Sequence, residues 1–145
     1  MSIKLWGGVF GDSYHARNAS AGQNRWPFWR DLFSRYPCDS VLEVGCGGGA
    51  NLQWLVAAKV YGVEVNEAAV IAAQTRAPRA DIRIMPASHL PFPDRFIDLV
   101  FTCGLLIHQA PHELPKVLDE IWRVSRRLIL AIEYYSTHET MVEYR

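Results

Sequence analysis

No stretch of this 145-residue sequence reaches 18 consecutive apolar residues, and no secretory leader pattern opens it. Neither a membrane-spanning helix nor export is expected, so the chain reads as soluble and cytoplasmic. Net charge is also missing. Fifteen basic residues balance fifteen acidic ones, so no sequence-wide field favours nucleic acid or an anionic membrane as partner. Cysteine is scarce: Cys38, Cys46 and Cys103 are odd in number, widely spaced and free of any C-x-x-C pair, which points to a reducing compartment and no zinc or other metal site. Nor is there length for a second domain. With half of the residues hydrophobic, the chain has the material for one core.

What the sequence does concentrate is glycine. Val41-Leu42-Glu43-Val44-Gly45-Cys46-Gly47-Gly48-Gly49-Ala50-Asn51 is an apolar run that breaks into glycines and resumes with a helix-like pattern. It reads as strand, tight turn and helix N-terminus. The turn demands positive φ and a close ligand approach, and the helix is expected to aim unpaired N–H groups at that ligand. A glycine turn without a ligand is the plain alternative. Gly45-x-Gly47-x-x-Ala50 satisfies the dinucleotide fingerprint, with Glu64 about 20 residues on, where a ribose contact belongs. Glu43 argues against a dinucleotide, because a carboxylate repels a pyrophosphate and attracts a cationic ligand instead.

Around this stretch the elements follow in order. Residues 1–25 mix Trp6, Phe10 and Tyr14 with Gly7, Gly8, Gly11, Asp12, His15, Arg17 and Asn18 in no steady period. They read as an arm or flap that orders over a ligand, with Tyr14 and Arg17 either meeting a ligand carboxylate or tying the arm to the body. The remaining domain spans 26–145. Trp26, Phe28, Trp29, Leu32, Phe33 and Tyr36 recur at helical spacing and read as core packing. Strands are expected near 40–44, 60–65, 81–85, 96–101 and 127–133, and helices at 50–58, 66–77 with Asn66 as N-cap, and 111–124 with Lys116, Asp119, Glu120 and Arg123 solvated. Glu64 falls at the carboxyl end of its strand, where open parallel sheets bind ligands; a helix N-terminal acid is the bland reading. His89, in the proline-rich loop 86–94, reads as solvated. His108 has an ordinary pKa suited to base work near neutrality, against the reading of a cap or a buried ring.

Glu43-x-Gly45-x-Gly47-x-Gly49 resembles motif I of class I S-adenosylmethionine-dependent methyltransferases, and Leu90-Pro91-Phe92-Pro93-Asp94 followed by Phe96-Ile97-Asp98-Leu99-Val100 resembles their post-strand motif. Phe10 through Asn18, Gly104-Leu105-Leu106-Ile107-His108, Leu114-Pro115-Lys116-Val117 and Glu133-Tyr134-Tyr135 are similar to methylases associated with pseudaminic acid and related nucleotide-sugar biosynthesis. The resemblance implies a Rossmann-like, doubly wound, mostly parallel α/β sheet of about five strands in order 3-2-1-4-5. Helices cover both faces, and the usual terminal β6-β7 hairpin is missing.

It also implies roles. Glu43, Gly45, Cys46 and Gly47 surround the methionine moiety of S-adenosylmethionine, Glu64 with Val65 holds the ribose, and Ala87 and Ser88 lie near the adenine. Cys103 and Gly104 floor the site, while Tyr14 and Arg17 close it. Pro86 departs from the acidic residue that many members place there, leaving adenine recognition to backbone groups. The acceptor is expected to be a small molecule, a sugar or nucleotide sugar of surface polysaccharide biosynthesis, and an exposed sheet edge suggests a homodimer. Three other readings are weighed: a truncated or non-catalytic S-adenosylmethionine-binding module, an NAD-dependent oxidoreductase, which Glu43 disfavours, and a nucleic-acid methyltransferase. Neutral charge and the lack of an Asn/Asp-Pro-Pro-aromatic motif disfavour the last.

Overall fold

Apolar runs too short for helices become strands, two central ones buried almost throughout and the edge ones partly exposed. β1 (Ser40–Val44), β2 (Lys59–Glu64), β3 (Asp81–Ile84), β4 (Ile97–Cys103) and β5 (Ser125–Ile132) pair in parallel in the order β3-β2-β1-β4-β5. The computed structural model describes residues 3–18 and 24–138. Residues 1–2 and 19–23 of the expected arm, and the tail 139–145, lie outside the described residues.

Side chains alternate along β1. Leu42 and Val44 pack with Val117, Ile121 and Val124 of α5 (Leu114–Val124), whereas Val41 packs with Trp29 of α3 (Trp26–Arg35). The helix α4 (Glu67–Arg76) sits on the α3 side, where Val70 and Ala73 meet Ile82 of β3. Both faces are therefore covered, and the doubly wound order expected from the sequence is present. Trp29 is fully buried, its ring 4.7 Å from that of Phe101; truncating such a residue costs about 3–5 kcal/mol. Strand order reverses between β1 and β4, which opens a crevice at the carboxyl ends of both.

Four expectations need correction. First, no helix follows the glycine turn: after Gly45, Gly47 and Gly49, at φ 72°, 50° and 74°, the chain makes turns and one 3-10 turn at Leu52–Trp54. Alternate left-handed glycines break the run of helical backbone that would nucleate a helix there. Second, the N-terminal segment is helical, as α1 (Ile3–Trp6) and α2 (Val9–Asn18). Its packing runs through Gly11, where a Cβ would stand 1.9 Å from Trp6 O, so no apolar stripe marks it in the sequence. Third, Glu120 and Arg123 are half-buried rather than solvated. Arg123 donates to the carbonyls of Leu90 (3.1 Å) and Phe92 (2.8 Å), and Glu120 accepts the Leu90 N–H at 2.7 Å, stitching the proline-rich loop to α5. Fourth, the α3 aromatics are not all core. Trp29 is buried with Leu32 and Phe33 beside it, but Phe28 and Tyr36 are about half exposed, because a ten-residue helix buries one stripe.

Candidate active site

The crevice holds a cavity of about 310 Å³, at the lower end of the size usual for small-molecule sites. Glycine turn, β2 end, third loop and fourth loop all converge on it. Of the residues singled out in the sequence, Tyr14, Glu43, Gly45, Cys46, Gly47, Glu64, Val65, Ala87, Ser88, Cys103, Gly104 and His108 line it. Arg17 does not: it is exposed and outside the lining. Arg25 lines it instead, just before the start of α3, and Arg76 from α4 is a second guanidinium in the lining.

Glu43 points from the middle of the sheet, where β1 is flanked by strands on both sides. It is 2% exposed, and Asn51 Nδ2 donates to its Oε1 at 2.5 Å. Asn51 in turn accepts from Arg25 Nη1 at 2.6 Å, and the same guanidinium reaches Cys103 Sγ at 3.5 Å. The second carboxyl oxygen, Glu43 Oε2, is buried without a partner. Burial pushes the carboxyl up to about 8, against the opposing pull of Asn51 and Arg25. A buried acceptor without a donor is costly, and a cation placed beside it removes that cost by favouring the ionised form.

The turn itself is closed on itself. Gly45 and Cys46 N–H donate to Val63 O at 2.9 and 3.0 Å, Gly49 N–H donates to Cys46 O at 2.9 Å, and Gly47 N–H donates to Glu64 Oε2 at 2.9 Å. These amides are not open to an anion, which corrects the expectation of a helix N-terminus aimed at the ligand. Cys46 contributes backbone only; its side chain lies in the core over Gly62, where a Cβ would meet Sγ at 2.9 Å, and burial pushes its thiol well up. Glu64 also accepts from Val65 N (2.8 Å) and Asn66 N (3.1 Å). Glu64 thus fixes the turn that leads into α4 and at the same time lines the cavity.

The third loop enters through Met85, whose N–H donates to Glu64 O at 3.0 Å, and continues as Pro86, Ala87 and Ser88 along the wall. His89 is exposed, as expected. After β4, Gly104 turns the chain at φ 64°, and a 3-10 turn at Leu106–His108 carries His108 into the lining. Its ring lies 4.5 Å from that of Trp6 and 6.1 Å from that of Tyr14. Burial lowers its proton affinity, with Glu133 opposing, so the neutral ring dominates at pH 7.

Trp6, His15, Arg25 and Asn51 also line the cavity, and of these only Asn51 has a sequence signal of its own. His15 lies over the glycine turn, its Cε1 3.2 Å from where a Gly47 Cβ would be. A polar residue at the end of the glycine stretch, Asn51, was the one visible hint. Taken together, one end of the cavity offers an unpartnered carboxyl oxygen beside a guanidinium, and the other a carboxylate at a strand end next to an apolar loop. That set suits a ligand with an ammonium and a carboxylate at one end and a nucleoside at the other.

Residues 42–128 match the methyltransferase domain family. A probable S-adenosylmethionine-dependent methyltransferase of Mycolicibacterium smegmatis is 41% identical over 88 residues, covering 59% of this chain and 34% of that protein. A second, from Mycobacterium tuberculosis strain H37Rv, is 34% identical over 82 residues, covering 55% and 30%. The matched region thus amounts to about a third of the length of these curated relatives. In fold the chain is similar to a putative S-adenosylmethionine-dependent methyltransferase of Methanococcus maripaludis (TM-score 0.69, 13% identity, 90% of this chain and 65% of that one). It is also similar to the magnesium protoporphyrin IX methyltransferase of Synechocystis PCC 6803, solved with bound S-adenosylmethionine (TM-score 0.66, 18% identity, 87% and 71%). With motif, fold and cavity in agreement, the chain belongs to the methyltransferase domain family, whose cofactor is S-adenosylmethionine.

Proposed function

We propose that this chain forms the cofactor-binding part of a methyltransferase that modifies a small-molecule acceptor. The observation that carries this reading is Glu43, a carboxyl at 2% exposure whose Oε2 has no partner, set in the same cavity as Arg25. Glu43 Oε2 takes the ammonium of the methionine end and Arg25 its carboxylate. Glu64 holds the ribose hydroxyls, and Met85 to Ser88 flank the base. S-Adenosylmethionine supplies a methyl group activated by its sulfonium. Trp6 and Tyr14 shield the cavity from water, which leaves positioning as the main task of the protein. For a hydroxyl acceptor, neutral His108 takes up the proton that is lost.

A sugar or nucleotide-sugar acceptor of surface polysaccharide biosynthesis is supported by the likeness of 10–18, 104–108 and 133–135 to methylases of that kind. The reading places the chain in the cytoplasm. It also gives the chain a second copy as partner along β5, which among the described residues has a neighbour on one side only; sedimentation at rising concentration tests that. The alternative reading is a binding module without turnover, which the experiment below separates from the enzyme.

Calorimetric titration with S-adenosylmethionine, S-adenosylhomocysteine and NAD, on the chain and on Glu64→Ala, separates the readings when run beside a methyl-label transfer assay on nucleotide sugars. Binding of the first two only, lost in the variant, with label transferred, supports the enzyme. Binding without transfer supports the module. Binding of NAD alone overturns both.

A further inference from the structure

The loop that floors the cavity is held from behind by a residue outside it. Gly104 N–H donates to Ile132 O at 2.9 Å, and the next two amides, of Leu105 and Leu106, donate to Glu133 Oε1 at 3.0 Å and Oε2 at 3.2 Å. These amides open the 3-10 turn Leu106–His108, so no partner exists for them within it. A carboxylate satisfies both at once with charge-assisted bonds.

Two side chains leave this turn for the site. Leu105 lies over the glycine turn, its Cδ1 2.6 Å from the position of a Gly45 Cβ, and His108 packs against Trp6. We propose that Glu133 is the positioning residue of the site, its two oxygens setting the turn that places Leu105 against Gly45 and His108 beneath Trp6. The inference rests on the methyltransferase reading for what Leu105 and His108 do, and on Glu133 alone for how they are placed. Among the groups facing His108, the Trp6 and Tyr14 rings come from α1 and α2 and Glu133 from the end of β5, with Glu113 also in the cavity wall. Glu133 raises the proton affinity that burial lowers, so one carboxylate acts on both the place and the basicity of the imidazole.

The test uses the ligand-free chain and Glu133→Gln, which keeps the shape but replaces one accepting oxygen with a donor and removes the charge. Amide exchange at Leu105 and Leu106 is expected to speed up about tenfold or more, the factor for a lost bond to a charged acceptor. The His108 ring, followed by NMR, titrates at lower pH than in the parent, and affinity for S-adenosylmethionine falls several-fold. Amides of β1 serve as the folding control. Glu133→Asp, which keeps the charge, is expected to return the His108 titration toward the parent and also covers the case in which the Gln variant does not fold. Parental exchange and parental titration in Glu133→Gln overturn the proposal, as does a Glu133→Asp that titrates no nearer the parent than Glu133→Gln. If the parent itself binds no S-adenosylmethionine, the functional reading fails, while exchange and titration still decide the role of Glu133.

Discussion

Asn66 Nδ2 donates to Asp12 Oδ1 at 2.7 Å, while Oδ1 of the same amide accepts the Ala69 N–H at 2.8 Å. One side chain thus starts α4 and latches α2 to it; its Nδ2 also donates to Trp6 O at 3.1 Å, and its backbone N–H donates to Glu64. The N-terminal helices and the strand-end carboxylate share a single junction.

That junction can be split by chemistry. Asn66→Asp keeps the N-cap oxygen but sets a second carboxylate against Asp12 and leaves the Trp6 carbonyl unserved. Helical content stays near the parent's, and proteolysis between residues 3 and 18 accelerates. Asn66→Ala loses the cap as well, at about 1 kcal/mol. Mass-mapped limited proteolysis reads both, and a 3–18 segment as resistant as the parent's in Asn66→Asp rules the latch out.

Glu43 makes cofactor affinity depend on pH. The folded, ligand-free chain holds its proton up to about 8, against an ordinary 4.5, so binding a cation beside it below that pH expels a proton. Affinity for S-adenosylmethionine therefore rises as pH climbs toward 8. Calorimetry in two buffers of different ionisation enthalpy detects the released proton, and Glu43→Gln abolishes both the slope and the release. The sign for folding is opposite. Between 4.5 and about 8 the unfolded chain ionises Glu43 and the folded chain does not, so its contribution to stability falls as pH rises. Near pH 8 Glu43→Gln is accordingly more stable than the parent while binding less tightly.

Arg25 serves one end of the ligand only. Arg25→Gln is expected to lower affinity for S-adenosylmethionine about tenfold or more, as for loss of a charge-assisted bond. Methylthioadenosine, which has no amino-acid end, binds parent and variant alike. Equal losses for both ligands refute the assignment of Arg25 to the carboxylate.

Asp98 anchors the sheet away from the site. Burial disfavours its charge, yet Arg126 and the backbone N–H groups of Asp39 (2.9 Å) and Ser40 (3.2 Å) hold its carboxyl below the usual range. Its folded pKa is depressed, so the stability it adds is complete above the ordinary 3.8 and is lost as pH falls through the folded value. Asp98→Ala is expected to cost about 2–3 kcal/mol at pH 7 by chemical denaturation. The gap between parent and variant narrows in acid.

The five strands and the Asn66 cap could be read from the sequence because each rests on a local signal, an apolar run or an amide before an alanine-rich helix, whereas the strand order comes with the resemblance to a known family. Twelve of the candidate residues line the cavity; those of the glycine turn and the β2 end are marked by a glycine break or a strand end, where a parallel sheet meets ligand, and Tyr14, Ala87, Ser88 and Cys103 by the resemblance. What escaped depends on contacts across the chain. Gly11 packs α2 through bare backbone, which periodicity does not register. Arg25 was indistinguishable from Arg17 until the path into α3 decided which of them faces the cavity. Glu120 and Arg123 look like solvated helix residues, and only the loop folded over them makes them half-buried partners.

Between Gly45 and β2 the crossover contains a single 3-10 turn in place of a helix. A diphosphate bridge relies on open amides at the positive pole of a helix; here the amides of Gly45, Cys46, Gly47 and Gly49 are already spoken for, and two carboxyl groups stand nearby. The crossover thus offers a diphosphate no helix pole to rest on, and Glu43→Gln is expected to leave NAD unbound in the same titration.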